Sequence, residues 1–223
     1  MLRARRLDVG DTLSVTNGRG QIALGKIVKA AARRDKLEVM LCEVESIPKP
    51  GFSTMLMGAL PKGDRQSTML DMSTQLGMTH FYPLRCEYGV QRAIPKMFER
   101  WHRIVREASK QCRQPHFPIL GDEVELHRVL SDNQDRTLLL YADAEGIAME
   151  QLFSQGRIDS KWLDIESIIL LVGPEGGFSE AEIECLEQSK AIPIALGHYV
   201  LRTEAAAISM LAGLNQIRYK FEL

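Results

Sequence analysis

The spacing of apolar and polar residues changes character partway along the chain. Thr12–Thr16 alternates as a half-buried strand does, and Asn17-Gly18 follows as a hairpin signal, since both positions tolerate positive φ. Gln21–Ala30 and Lys36–Val44 read as two more strands, and Ser46–Gly51 (SIPKPG) as a linker. Beyond Phe52 the texture is different. Met55–Leu60 is an apolar strand-like run, and Pro61-Lys62-Gly63-Asp64 is a turn that offers Asp64 as a helix N-cap. Arg65–Leu76 then reads as a helix and Thr79–Leu84 as a strand. Met97, Trp101, Ile104, Val105, Ala108 and Cys112 fall at helical spacing and predict an amphipathic helix over Lys96–Cys112. A helix over Asp122–Leu130, a buried strand at Thr137–Tyr141, and strands at Ser167–Val172 and Ile192–Leu196 follow. Ser179-x-x-Glu182 is a capping box, and Thr203 reads as the N-cap of a last helix running to about residue 220, with Glu204 in its first turn.

The pattern divides the chain into a small antiparallel β module, residues 1–47, and an α/β domain with a mostly parallel sheet, residues 52–223. Three strands alone leave open edges, so the module reads as short of a strand or two. A length of 223 residues fits one large domain, or a medium one beside a small one.

Charge sharpens this picture. The formal net charge is −1, but residues 1–50 carry ten Lys/Arg against six Asp/Glu, and Arg85–Arg113 carries eight against three. Basic patches on a near-neutral protein fit a polyanion, although a solvated helix face gives the same pattern. The four cysteines contain no C-x-x-C pair and read as free thiols in a reducing cytosol, hence a cytoplasmic location. The five histidines form no metal-binding spacing, so no metal is expected. No apolar run is long enough to span a membrane, and the basic start MLRARR lacks the apolar core of a signal peptide.

The chemistry concentrates in two strand–turn–helix units, Leu170–Glu184 (LLVGPEGGFSEAEIE) and Leu196–Ala207 (LGHYVLRTEAAA). Such units leave backbone N–H groups and a helix N-terminus open at the carboxyl end of a strand. Gly173-Pro174-Glu175-Gly176-Gly177 is neither a phosphate loop nor the dinucleotide fingerprint. A nucleoside without phosphates suits it better, with backbone groups on an adenine edge and Leu171, Leu196 and Leu201 against the ring. Plain tight turns remain the alternative for these glycines.

These residues resemble the bacterial 16S rRNA uridine-N3 methyltransferases, knotted enzymes of the SPOUT class. The family's GPEGG-F-S-x-x-E segment matches Gly173–Glu182, and its L-G-x-x-(I/V)-L-R-T-E-(T)-A segment matches Leu196–Ala206. Looser agreement runs through Leu60–Arg65, Leu76-Gly77, Arg100-Trp101 and Glu107-Ala108, while Asp8–Asp11 and Asn17–Gly20 resemble the end of the family's PUA-like RNA-binding barrel. The resemblance implies an α/β-knot domain with a C-terminal trefoil knot, a homodimer, S-adenosylmethionine as cofactor and small-subunit ribosomal RNA as partner. It places the cofactor among Leu140, Leu171, Val172, Gly173, Gly176, Leu196, Gly197, Val200, Leu201, Thr203 and Ala206. It assigns RNA binding to Arg19, Lys62, Arg65, Arg106, Lys110 and Arg113.

The departures fall mostly on the RNA side. Family members carry residues ahead of the point matching Met1, which implies that the first barrel strands are missing here, through a truncated start or a real loss. Glu87-Tyr88-Gly89 stands where the pattern has Glu-Arg-Ser, Met72 and Gln75 replace a Lys and a Glu, Arg113-Gln114 replaces a basic pair, and Ala205 replaces a Thr. Methyl transfer from a sulfonium demands alignment, and uracil N3 must also lose its proton. Arg202 would stabilise the uracil oxygens, or else pair with Glu204 or a dimer mate; Glu175 would take the proton or orient the cofactor, or else cap its turn. Two other readings stay open: a divergent paralogue that binds cofactor and RNA without this reaction, and an enzyme acting on another RNA.

Overall fold

The computed structural model describes residues 8–31, 36–131, 136–154 and 165–221. The basic start MLRARR, expected to be no signal peptide, lies outside the described residues. The N-terminal part is a three-stranded antiparallel sheet of β1 (Thr12–Thr16), β2 (Gln21–Ala31) and β3 (Lys36–Ser46), in the order β1-β2-β3. Its first connection is a four-residue turn, Asn17–Gly20, in which Asn17 Oδ1 accepts the N–H groups of Arg19 (2.8 Å) and Gln21 (3.2 Å). Gly18 and Gly20 both have positive φ (71° and 93°), which only glycine adopts without strain. Ala23 and Ile27 are buried, whereas Leu24, Met40, Leu41 and Val44 are each about half exposed.

The remainder is built on a parallel sheet of β4 (Ser53–Gly58), β5 (His80–Arg85), β6 (Ile119–Leu120), β8 (Thr137–Ala148), β9 (Ser167–Val172) and β10 (Ile192–Ala195). The order is β10-β8-β9-β4-β5-β6, and the short β7 (Val124–Glu125) pairs with β5. The run SIILLV of β9 is apolar throughout because both of its faces are covered. Ile168, Leu170 and Val172 join one core with residues of α1 (Arg65–Gln75), α2 (Pro95–Cys112) and α6 (Thr203–Phe221). Ile169 and Leu171 join a second core with α3 (Leu126–Ser131) and α5 (Glu180–Gln188). A short helix α4 (Gln151–Ser154) follows β8. Trp101 anchors α2 in the first core, its ring edge-on to Phe81 with centroids 5.8 Å apart.

Four sequence-based expectations change. The helix expected over Asp122–Leu130 begins only at Leu126, because Val124–Glu125 pairs with Leu84–Arg85 and Glu123 is occupied by Arg92 and the Ala93 N–H. Asp64 holds the expected N-cap position, its carbonyl accepting the Ser67 and Thr68 N–H groups (2.9 and 3.2 Å), but its backbone is helical and its side chain makes no cap; the carboxylate accepts from Arg100 at 2.7 Å instead. Thr203 is the first residue of α6 rather than its cap, and Arg202 supplies the carbonyl that the Ala206 N–H reaches at 2.9 Å. The strand expected to stop at Tyr141 continues to Ala148 through an irregular stretch, after which Ile147 and Ala148 resume pairing with Ile194 and Ala195.

The two sheets meet at one joint. The Gly20 N–H donates to Pro115 O (3.0 Å), the Phe117 N–H donates to Gly18 O (2.9 Å), and the His116 ring bonds Ile47 O (2.9 Å). Side chains at Gly18 and Gly20 would collide with the rings of Phe117 and His116. The Asn17–Gly20 turn is thereby fixed beside the C-terminal end of α2. No helix among the described residues is long and apolar enough to cross a membrane.

Candidate functional site

Three turns follow the carboxyl ends of β9, β10 and β4, with β9 beside β4 and β10 one strand beyond β8. After β9 comes the turn Gly173–Gly177, closed by a hydrogen bond from the Gly177 N–H to Pro174 O (2.9 Å) and by Gly177 at φ 77°. The capping box of α5 forms as the sequence implies: Ser179 Oγ accepts the Glu182 N–H at 3.3 Å, and Glu182 Oε2 accepts the Ser179 N–H at 2.8 Å. After β10 comes Leu196–Arg202, with Gly197 at φ 142°. After β4 comes Ala59–Asp64, joined to β9 by the Ala59 N–H on Val172 O (2.8 Å).

Side chains tie these turns together. Thr203 Oγ1 donates to Gly173 O at 3.3 Å, linking the second turn to the first. Arg65 Nη1 donates to Glu175 Oε1 at 2.8 Å and stands 3.6 Å from Glu204 Oε2. Glu204 is largely buried, and this oxygen has no hydrogen-bond partner among the described residues, leaving an acceptor between the turns. The Glu175 carboxyl is held below its ordinary value, first by a hydrogen bond from its own backbone N–H, which outweighs the opposing effect of burial, and then by Arg65 and the charge of Lys62. It is therefore ionised at neutral pH and a weak base. Gly146, in the irregular stretch of β8, closes the arrangement from the other side: a Cβ there would lie 2.6 Å from Ile194 N and Pro193 C.

The expected cofactor residues divide into two groups. Gly173, Gly176, Leu196, Gly197, Val200, Leu201 and Thr203 form the turns, with Leu196 and Leu201 half-buried against the core. Leu140, Leu171, Val172 and Ala206 have buried side chains. Leu171, expected to pack on a ligand ring, instead has its side chain fully buried in the second core with Tyr141, Phe178 and Leu186. Val200 projects into solvent at 88% exposure, beside Tyr199 at 86%.

Among the expected catalytic and RNA-binding groups, Arg202 is exposed and has no ion-pair partner among the described residues; the alternative pairing with Glu204 is taken by Arg65. Arg65 thus belongs to the turn cluster rather than to a free phosphate-binding face. Lys62, Arg19, Arg106 and Arg113 are exposed, and Lys110 bonds Glu107 at 2.6 Å. Arg106, Lys110 and Arg113 lie along the outward side of α2, which ends at Arg113 in the left-handed region (φ 61°) next to the joint carrying Arg19.

Three features escaped the sequence reading. Arg65 as a link between turns had no signal beyond its place after a Gly-containing turn. Gly146 stood alone in a strand, a pattern that marks close backbone approach. Tyr88 lies against the first turn, 3.5 Å from where a Gly176 Cβ would be. Close by, Cys86 has its thiol pushed up to about 12 by burial and by the charge of Glu182, so it stays protonated and unreactive. No group of three or more His, Cys, Asp or Glu side chains among the described residues is placed to hold a metal.

Known proteins resemble this chain in sequence and in fold. Residues 48–215 match the family model described as an RNA methyltransferase domain. A ribosomal RNA small subunit methyltransferase E from Rickettsia conorii is 32% identical over 93% of this chain and 81% of its own length. Its namesake from Aquifex aeolicus is 30% identical over 94% and 87%. A methyltransferase from Legionella pneumophila, solved with bound SAM, superposes with a TM-score of 0.82 at 25% identity, covering 97% of this chain and 87% of the other.

Proposed function

Because the chain belongs to the RNA methyltransferase family, we propose that it transfers the methyl group of S-adenosylmethionine to small-subunit ribosomal RNA, at N3 of a uridine. The observation that carries this reading is the junction of the Gly173–Gly177 and Leu196–Arg202 turns, bonded by Thr203 and Gly173 and flanked by a buried Glu204 oxygen that faces Arg65 at 3.6 Å and takes no hydrogen bond among the described residues. The residues present fit a nucleoside ligand: Gly197 opens a left-handed corner with nothing within 4 Å of a Cβ, and Leu196 and Leu201 offer apolar surface.

Bound S-adenosylmethionine supplies an electrophilic methyl group. The chain's own residues have two tasks, alignment and charge. Backbone groups of Gly173, Gly176, Leu196 and Gly197, with Leu201, Thr203 and Ala206 behind them, hold the donor. Leu140, Leu171 and Val172 contribute by fixing the strand ends. Arg202, exposed and without an ion-pair partner among the described residues, stabilises the negative charge that develops on the uracil oxygens as N3 gives up its proton to solvent water. Glu175, held ionised by its own backbone N–H and by Arg65, orients the cofactor turn and is poorly suited to take that proton.

The RNA lies along α2, on Arg106, Lys110 and Arg113, and continues to Arg19 at the joint and Lys62 at the donor site. The N-terminal sheet serves as part of a PUA-like RNA-binding module. The chain path supports the trefoil knot: it leaves β9, crosses β8 to the edge strand β10, and returns as α6 to pack on β9, β4 and α1. Tyr199 and Val200, exposed at the same crossing, support burial against a second copy in a homodimer. The free cysteines support a cytoplasmic location.

The test is transfer of labelled methyl from S-adenosylmethionine to small subunits isolated from a strain lacking the modification, followed by nucleoside analysis. Labelled 3-methyluridine is the expected product. Its absence, or label in another nucleoside, overturns the assignment.

A further inference from the structure

The loop Cys86–Ala93 leads from β5 towards α2 and is pinned at both ends. The Glu87 N–H donates to Glu182 Oε1 at 2.9 Å, on the carboxylate that also closes the α5 capping box. The Gly89 N–H turns back onto Cys86 O (3.1 Å), and the Ala93 N–H and Arg92 Nη1 are held by Glu123 (3.0 and 3.1 Å). Tyr88 lies between these anchors. It is 52% exposed, and among the described residues its ring stacks on no other aromatic and its hydroxyl has no hydrogen-bond partner.

Its position is specific. A Cβ on Gly176 would lie 3.5 Å from Tyr88 Cβ and 3.6 Å from its Cδ2, so the phenol stands directly against the bare backbone of the donor turn. One residue away is the Glu175 carboxylate, close enough to Lys62 for that ammonium to act on its ionisation, and Lys62 is exposed. An aromatic ring on a pinned loop, an exposed stretch of backbone and an exposed cation side by side are the parts that hold an unstacked nucleotide: the ring for the base, the cation for its phosphate.

We propose that Tyr88 is the stacking platform for an unpaired RNA base at the mouth of the methyl-donor site. This rests on the function proposed above and deepens it by naming the surface that receives the substrate nucleotide. Held by Glu182, the platform moves with the N-terminus of α5 and therefore with the Gly173–Gly177 turn. Base and donor are then positioned by one rigid unit, which is what an in-line transfer requires.

The test uses the full chain as wild type, Tyr88→Phe and Tyr88→Ala. Fluorescence anisotropy with a labelled single-stranded oligouridine of about ten nucleotides reads RNA affinity. Photo-crosslinking with its 5-iodouridine form maps the contact. Calorimetry with S-adenosylhomocysteine on the same proteins reads the donor site separately. Tyr88→Ala should weaken oligouridine binding by about fivefold or more and abolish the crosslink at residue 88. Tyr88→Phe should stay within about twofold, because stacking needs the ring and not the hydroxyl. S-adenosylhomocysteine affinity should be the same in all three. Unchanged oligouridine affinity in Tyr88→Ala, a wild-type crosslink elsewhere, or an equal loss of S-adenosylhomocysteine affinity overturns the proposal. Failure of the wild type to bind S-adenosylhomocysteine would instead count against the proposed methyltransferase function, while the oligouridine contrast still decides the role of Tyr88.

Discussion

Arg65 and Glu175 form a 2.8 Å ion pair across 110 positions of sequence, and the same guanidinium stands 3.6 Å from Glu204. One side chain at the start of α1 thus spans the turns that follow β9 and β10. The pair is part-exposed, so its worth to global stability is small, below about 1 kcal/mol. Its effect falls on the geometry of the turns. Arg65→Gln should shift the thermal midpoint by no more than about 3 °C yet lower S-adenosylhomocysteine affinity about tenfold, as misplacement of a binding loop does. Parallel thermal melts and calorimetry check this. A large loss of stability with unchanged affinity would make Arg65 a fold residue instead.

The same pair fixes a pH behaviour. Glu175 titrates below its ordinary 4.5 because the folded state favours the carboxylate. The associated stabilisation is complete above that value and is lost as pH falls through the lower folded value. Between about pH 6 and pH 9 the carboxylate does not titrate, so Glu175→Gln should lower methyl transfer without removing a limb of the pH–rate profile there. Loss of a limb near neutrality would reinstate Glu175 as the proton acceptor.

Gly197 sits at φ 142°, where side chains are strained, but the space around it is open. Gly197→Val should therefore cost modest stability, about 1–2 kcal/mol, while blocking the approach of ligand to backbone. Calorimetric titration should show affinity for S-adenosylhomocysteine lost. Retained affinity would move the ligand away from this corner.

Gly146 makes the opposite case, since its neighbours are backbone atoms at 2.6 Å that cannot swing aside. Gly146→Ala should destabilise by about 1–3 kcal/mol or more, a fall of at least about 3 °C in thermal midpoint. A variant melting with the wild type would show that β8 and β10 can separate there at no cost.

On the RNA face, Arg106→Gln with Lys110→Gln should weaken binding to small-subunit RNA and reduce the slope of log affinity against log salt by about one to two units. Nitrocellulose filter binding across a salt series reads both quantities. An unchanged slope would make the outward side of α2 a solvated surface.

Legibility in the sequence followed the range of the interactions involved. Ser167–Val172 was readable to the residue because an apolar run bounded by a Gly-Pro turn has few other uses, and the Ser179–Glu182 capping box is a contact across three positions. Val124–Glu125 was misread as helix because its strand pairing depends on Leu84–Arg85, some forty residues away, which local periodicity cannot register. The glycines of the two turns were visible as chemistry. The side chains that join those turns carry other expectations too: Thr203 reads as a helix cap as well as a cofactor residue, and Arg65 as an RNA contact, while the bonds to Gly173 and Glu175 span 30 and 110 positions. Leu171 showed the limit of hydropathy, since an apolar residue at a strand end faces the core or a ligand according to which helix covers it.

The measurement that bears most directly on the whole account is calorimetric titration of the intact chain with S-adenosylhomocysteine. The junction of the Gly173–Gly177 and Leu196–Arg202 turns should take up one ligand per chain, with saturable heat that disappears in Gly197→Val. A folded chain that gives no heat of binding, or one whose binding survives that substitution unchanged, would contradict the placement of the methyl donor at this junction.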